Sequence, residues 1–114
     1  YNVLKPIADT LPVTLQITQE TLNLLESDIQ LAVDDVLLND SYLGAGYGQP
    51  TQAMREAVSL VAHEEGLFLD PVYSGKAFAG LIDDIRGGKF KAGQNILFIM
   101  TGGAPGLYAY QSEF

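Results

Sequence analysis

Hydrophobic spacing divides the chain into segments of different period. Met54, Ala57, Val58 and Val61 keep helical spacing and Gly66 follows as a stop, which predicts an amphipathic helix ending there. Phe78, Leu81, Ile82 and Ile85 repeat the pattern at i, i+3, i+4 and i+7, and Gly87-Gly88 closes a second helix. From Asn95 to Met100 the chain runs apolar, the mark of a strand covered on both faces. Upstream the pattern is ambiguous. Thr10 as a cap, Pro12 in a first turn and Leu11, Leu15, Leu22 and Leu25 near one face predict a helix. The alternation Leu11, Val13, Leu15, Ile17 fits a strand equally well. Ile29, Leu31 and Val33 alternate as a strand does, Asp34-Asp35 interrupts them, and Val36-Leu37-Leu38 resumes extended structure. A last short helix starts at Pro105. Strands alternating with helices predict an α/β fold, but with so few strands that a piece of a larger parallel sheet explains the pattern best.

Size and charge narrow the function classes. The 114 residues fit one domain with a modest core. A net charge of −8 argues against a nucleic-acid partner, which needs clustered Lys and Arg. No apolar run is long enough to span a membrane. Cysteine is absent, which removes disulfides, thiolate nucleophiles and zinc–thiolate sites, and one His cannot build a His-rich metal site, so no metal is expected. The cysteine-free composition is compatible with a cytoplasmic protein, the expected location. The chain opens on Tyr1 without a signal peptide and reads as though it begins inside a larger protein.

Candidate chemistry gathers at two turns. Asp70-Pro71-Val72-Tyr73-Ser74-Gly75-Lys76 and Thr101-Gly102-Gly103-Ala104-Pro105 each place a hydroxyl and glycines where a helix begins, and helix starts hold polar or anionic small molecules. Thr101 stands where the 95–100 strand runs out, the end at which ligands gather in α/β sheets. Ser74 and Thr101 read equally as helix caps. Lys76 reads as a solvated first-turn charge rather than a Schiff-base lysine, because an exposed turn lacks the desolvation that lowers a lysine pKa. Tyr47 lies in the glycine loop Gly44-Ala45-Gly46-Tyr47-Gly48, from which a phenol can enter a pocket. His63 falls on a solvent face, Asp83-Asp84 and Glu64-Glu65 read as solvated charges, and Asp34-Asp35 lacks EF-hand spacing.

Residues 28–110 closely resemble the C-terminal part of the D-cysteine desulfhydrase and 1-aminocyclopropane-1-carboxylate deaminase family. The resemblance rests on Tyr42-Leu43-Gly44-Ala45-Gly46-Tyr47-Gly48, on Glu65-Gly66 through Asp70-Pro71-Val72-Tyr73-Ser74-Gly75-Lys76, and on Ile96-Leu97-Phe98 through Thr101-Gly102-Gly103-Ala104-Pro105. Residues 1–27, a helical lead-in, match loosely. The resemblance implies the C-terminal portion of a tryptophan synthase β-like, fold type II catalytic domain: an open parallel sheet with flanking helices over residues 28–114. It also implies a pyridoxal 5'-phosphate cofactor, a small amino-acid substrate and a homodimer.

Roles follow from the resemblance position by position. Tyr47 and Tyr73 match two active-site tyrosines facing the substrate. Ser74, Thr101 and Gly102 match the cofactor-ring side. The deaminases carry a glutamate after the second tyrosine and a leucine before the paired glycines; hydroxyl residues at both places mark the desulfhydrase branch. A hydroxyl is a neutral partner for the pyridine nitrogen and suffices when a β-thiolate leaves readily. The implied reaction is α,β-elimination of D-cysteine to pyruvate, sulfide and ammonia. L-cysteate sulfo-lyase and 1-aminocyclopropane-1-carboxylate deaminase are the alternatives, and a non-catalytic remnant or binding module is the alternative of another class. The family's Schiff-base lysine and phosphate loop lie upstream of the matched part, so the 114 residues alone are expected to be inactive.

Overall fold

The computed structural model describes residues 1–114. Three α-helices carry the chain: α1 (Ile7–Leu24), α2 (Gln52–Glu65) and α3 (Ser74–Arg86). Two 3₁₀ segments, Val33–Asp35 and Ala104–Glu113, complete the regular structure.

The central pair, α2 and α3, follows the hydrophobic pattern. Thr51 caps α2 by accepting the Met54 N–H at 3.2 Å, and Gly66 ends it in the left-handed conformation at φ 66°. Met54, Ala57, Val58 and Val61 are buried along one stripe of α2. Leu69 joins Met54, Val58 and Val61 in the core, with Phe78 and Leu107 packed against it. Burying a side chain such as Met54 completely is worth about 1.5–3 kcal/mol. On α3 small residues are buried, Gly75 against Val58 and Met54 of α2 and Gly80 against Tyr1 and Tyr42, whereas Ile85 is exposed. A Cβ at Gly75 would sit 2.8 Å from both Asp70 O and Val58 Cγ2, so the absence of a side chain sets how closely α3 approaches α2.

Elsewhere the structure departs from expectation. The ambiguous N-terminal segment is helical, but α1 starts at Ile7, not at Thr10, and Pro12 lies inside it. Pro6 precedes the first turn, and the Ile7 N–H is taken by Asp40 Oδ2 at 2.9 Å, which fixes the earlier start. Thr10 Oγ1 donates to Pro6 O instead of capping. No residue of α1 is buried.

The expected strands are not formed. Residues 28–32, 36–38 and 95–100 belong to no regular element, and Asp34-Asp35 lies in a 3₁₀ turn with Asp35 Oδ2 accepting the Ala32 N–H. A strand exists through ladder bonds to a neighbour, and no backbone hydrogen bond outside the regular elements involves residues 95–100. The segment is also not covered: Leu97 and Ile99 are 87% and 73% exposed. Only Phe98 is anchored, edge-on to Phe78 with ring centroids 4.9 Å apart. The chain beyond Thr101 does turn helical, as a 3₁₀ segment kinked at Tyr110.

The packing makes a prediction about Gly75. Gly75→Ala should destabilise the fold by about 1–3 kcal/mol in chemical denaturation, because the new methyl must displace Asp70 O or Val58. An unchanged midpoint would show that the α2–α3 contact is looser than described.

Candidate active site

The site is built around Asp70, just after Leu69 has been drawn into the core. Pro71 and the first turn of α3 fold back over the Asp70 side chain. Asp70 Oδ1 accepts the N–H groups of Val72 and Tyr73 at 2.9 and 2.6 Å, and Oδ2 accepts the Ser74 N–H at 2.8 Å. These are donors that a helix start leaves unpaired, so the carboxylate caps α3 and meets the positive end of its dipole. Ser74 Oγ adds a fourth bond, donating to Oδ2 at 2.6 Å while accepting the Asp70 N–H at 2.8 Å.

Ser74 is therefore not the cap that its position suggests. Its hydroxyl is buried, and its proton is committed to Asp70. Asp70 is the residue that reading the motifs missed as a functional element; an Asp-Pro with Asp70 four residues ahead of the α3 start at Ser74 is the signal that identifies it. Burial pushes its carboxyl pKa up, but the bonds from Ser74, Tyr73 and Val72 outweigh that, and the group is held below the ordinary carboxylate value.

The second turn packs directly against the first. Gly103 adopts φ 89°, and a Cβ there would lie 3.1 Å from Asp70 Cγ. Gly102, at φ 115° with open space around its Cα, leaves backbone accessible beside Thr101. Thr101 is exposed, and its hydroxyl makes no hydrogen bond within the chain. Tyr73, Ser74 and Thr101 line one open hollow of about 830 Å³, with Phe98 and Ile99 on its apolar side.

Tyr47 reaches the same neighbourhood from the glycine loop. Its hydroxyl lies 2.7 Å from that of Tyr73, with ring centroids 5.8 Å apart at 57°. Both rings are roughly half exposed. The hydrogen bond shared with Tyr47 raises the Tyr73 pKa, assisted by partial desolvation and by the negative charge of Asp70. Tyr110 fastens the loop from the C-terminal side by donating to Gly48 O at 2.9 Å.

Lys76 is not the solvated charge that its place in a first turn suggests. It is 1% exposed, with Nζ donating to Leu43 O at 2.8 Å and Gly46 O at 3.1 Å. The loop folds over α3 and supplies two carbonyls, which the local sequence around Lys76 does not disclose. Burial lowers its pKa. No lysine lines the hollow beside Thr101. His63 is exposed on α2.

The side chains at the hollow suit one face of an aromatic cofactor. Thr101 presents a free hydroxyl and Gly102 leaves backbone accessible there, and Tyr73, in contact with Tyr47, lines the same hollow. A phosphate cradle and an available amine are not among these residues.

Comparisons with known proteins identify the cofactor family. A sequence model described as pyridoxal-phosphate dependent enzyme matches residues 3–102. The chain is 47% identical over 109 residues to a D-cysteine desulfhydrase of Klebsiella pneumoniae strain 342 and 46% identical to one of Klebsiella pneumoniae subsp. pneumoniae. Each match covers 96% of this chain and 32% of the relative, so the chain spans about a third of their length. The crystal structure of an ACC deaminase homologue matches with a TM-score of 0.69 at 38% identity, over 83% of this chain and 27% of the other. The chain belongs to the pyridoxal-phosphate-dependent enzyme family.

The Asp70 cap predicts an acid sensitivity. Its pKa is lower folded than unfolded, so its stabilisation is fully present above the unfolded value of about 4 and is lost as pH falls through the folded value. Asp70→Asn should cost about 1–3 kcal/mol at pH 7 and flatten the stability profile below pH of about 4, followed by urea denaturation across pH. A variant with the wild-type pH slope would contradict the assignment.

Proposed function

We propose that this chain forms the ring-side and substrate-side wall of a longer pyridoxal-phosphate-dependent lyase that acts on D-cysteine. The observation that carries the reading is the pair of hydroxyl positions, Ser74 and Thr101, beside the Tyr47–Tyr73 phenol contact, in a chain 47% identical to a D-cysteine desulfhydrase. In this reading the apolar 95–100 segment becomes a strand of an open parallel sheet once the remaining part of the longer protein pairs with it, and residues 28–114 are the C-terminal part of the catalytic domain. The longer protein is expected to be a cytoplasmic homodimer.

Bound pyridoxal phosphate supplies the electron sink that allows a proton to leave Cα and a group to leave Cβ. Thr101 Oγ1 would serve as the hydroxyl partner of the pyridine nitrogen, and Gly102, with open space beside it, would hold the same side of the cofactor. Ser74 supports this side indirectly, since its proton is bound to Asp70 and its backbone N–H fixes the same carboxylate. Tyr73 would donate toward the departing sulfur, with Tyr47 holding its phenol in place through their 2.7 Å contact. D-cysteine and water then give pyruvate, hydrogen sulfide and ammonia.

The full-length protein should release sulfide and pyruvate from D-cysteine. Release of 2-oxobutyrate from 1-aminocyclopropane-1-carboxylate without sulfide would establish the deaminase reading instead, and sulfite from L-cysteate would establish the sulfo-lyase. Tyr73→Phe should lower kcat by about 10²-fold or more with the cofactor absorbance retained. Wild-type turnover in that variant would remove the phenol from the chemistry.

A further inference from the structure

Lys76 has no role in the chemistry above, yet it is the most deeply buried charged side chain of the fold. Its ammonium has no carboxylate partner; the ion pairs of the chain are Arg55–Glu113 and Lys89–Asp84. A buried cation without a counter-charge is costly, and a methionine or leucine would fill the same core volume without that cost. What the ammonium does here is hold backbone. Leu43 O and Gly46 O both accept from Nζ, and Gly46 O also takes the Gln49 N–H. Those carbonyls bracket a loop in which Gly44 lies at φ 70°, with no room for a Cβ against Thr51 Cγ2. Such a loop has wide conformational freedom when untied.

Tyr47 is the residue after Gly46, and Tyr73 stands three residues ahead of Lys76 at the start of α3. One side chain therefore joins the two elements that carry the two phenols. We propose that Lys76 is a positioning residue whose ammonium clasps the Gly44–Gly48 loop to α3 and so sets the Tyr47–Tyr73 contact. Its consequence for turnover rests on the lyase reading, but the contact itself does not.

The test uses the cofactor-free full-length protein with tyrosine labelled with 13C throughout the ring, the two residues' signals being assigned with Tyr47→Phe and Tyr73→Phe. Wild type should show a cross-ring NOE, given ring centroids 5.8 Å apart, and a Tyr73 signal displaced by its phenol partner. Lys76→Met keeps the stem and removes the ammonium. It should abolish the NOE and move the Tyr73 signal to where Tyr47→Phe puts it. Lys76→Arg keeps the charge but brings a planar head that mismatches the two-carbonyl seat, and should weaken the NOE even if the methionine variant does not fold. An intact NOE and an unmoved Tyr73 signal in whichever variants fold, whatever their melting temperatures, would overturn the proposal. In the loaded enzyme, Lys76→Met should lower kcat about 10- to 100-fold with a smaller change in KM. Loss of the NOE with kcat unchanged would leave the clasp standing and overturn the lyase role of the phenols.

Discussion

The carboxylate of Asp70 takes four hydrogen bonds from Val72, Tyr73 and Ser74 at the entry to α3, and little else at the site can be placed without them. They fix the backbone of Tyr73 and the hydroxyl of Ser74 in one step. The peptide oxygen of Asp70 accepts the Gly75 N–H at 2.8 Å, which ties the same turn to the glycine that lets α3 approach α2. On its other side the carboxylate is met by Gly103, so the turn after Thr101 is seated on the cap of a different helix. A helix start, a core contact and a second turn thus share a single anion. Its desolvation is offset because every bond it receives comes from a group that would otherwise be an unpaired donor.

That arrangement explains a division of labour between two similar hydroxyls. Ser74 and Thr101 look equivalent as polar residues at helix starts. Within the fold, Ser74 donates to Asp70 and is spent, whereas Thr101 is free at the edge of an open hollow. Of the two, only Thr101 keeps its hydroxyl proton available at the hollow. The phenol pair stands beside it with one proton held between two oxygens 2.7 Å apart, leaving the other to act outward.

Much of this was legible before any coordinates. The helical repeats of Met54–Val61 and Phe78–Ile85 announce α2 and α3; α2 buries its predicted stripe, whereas α3 buries mainly small residues and leaves Ile85 exposed. The family motifs brought Tyr47, Tyr73, Ser74 and Thr101 forward, and these do converge in space, the first two in direct contact and the last two on one hollow. Three things were hidden. The burial of Lys76 depends on a loop more than 25 residues away in sequence, which no local pattern reports. The capping role of Asp70 competes with that of Ser74, and geometry alone decides between them. The strand character of 95–100 is a property of pairing: its apolar run is a demand for neighbours, and within these residues it finds only Phe78.

The account comes down to Thr101 as the neutral partner of a pyridine nitrogen. The direct measurement is the 15N resonance of ring-labelled pyridoxal phosphate bound to the full-length protein, compared with that in Thr101→Val. An unprotonated, hydrogen-bonded nitrogen whose signal shifts when the hydroxyl is removed is the predicted result. A protonated nitrogen, or one indifferent to Thr101, would contradict it.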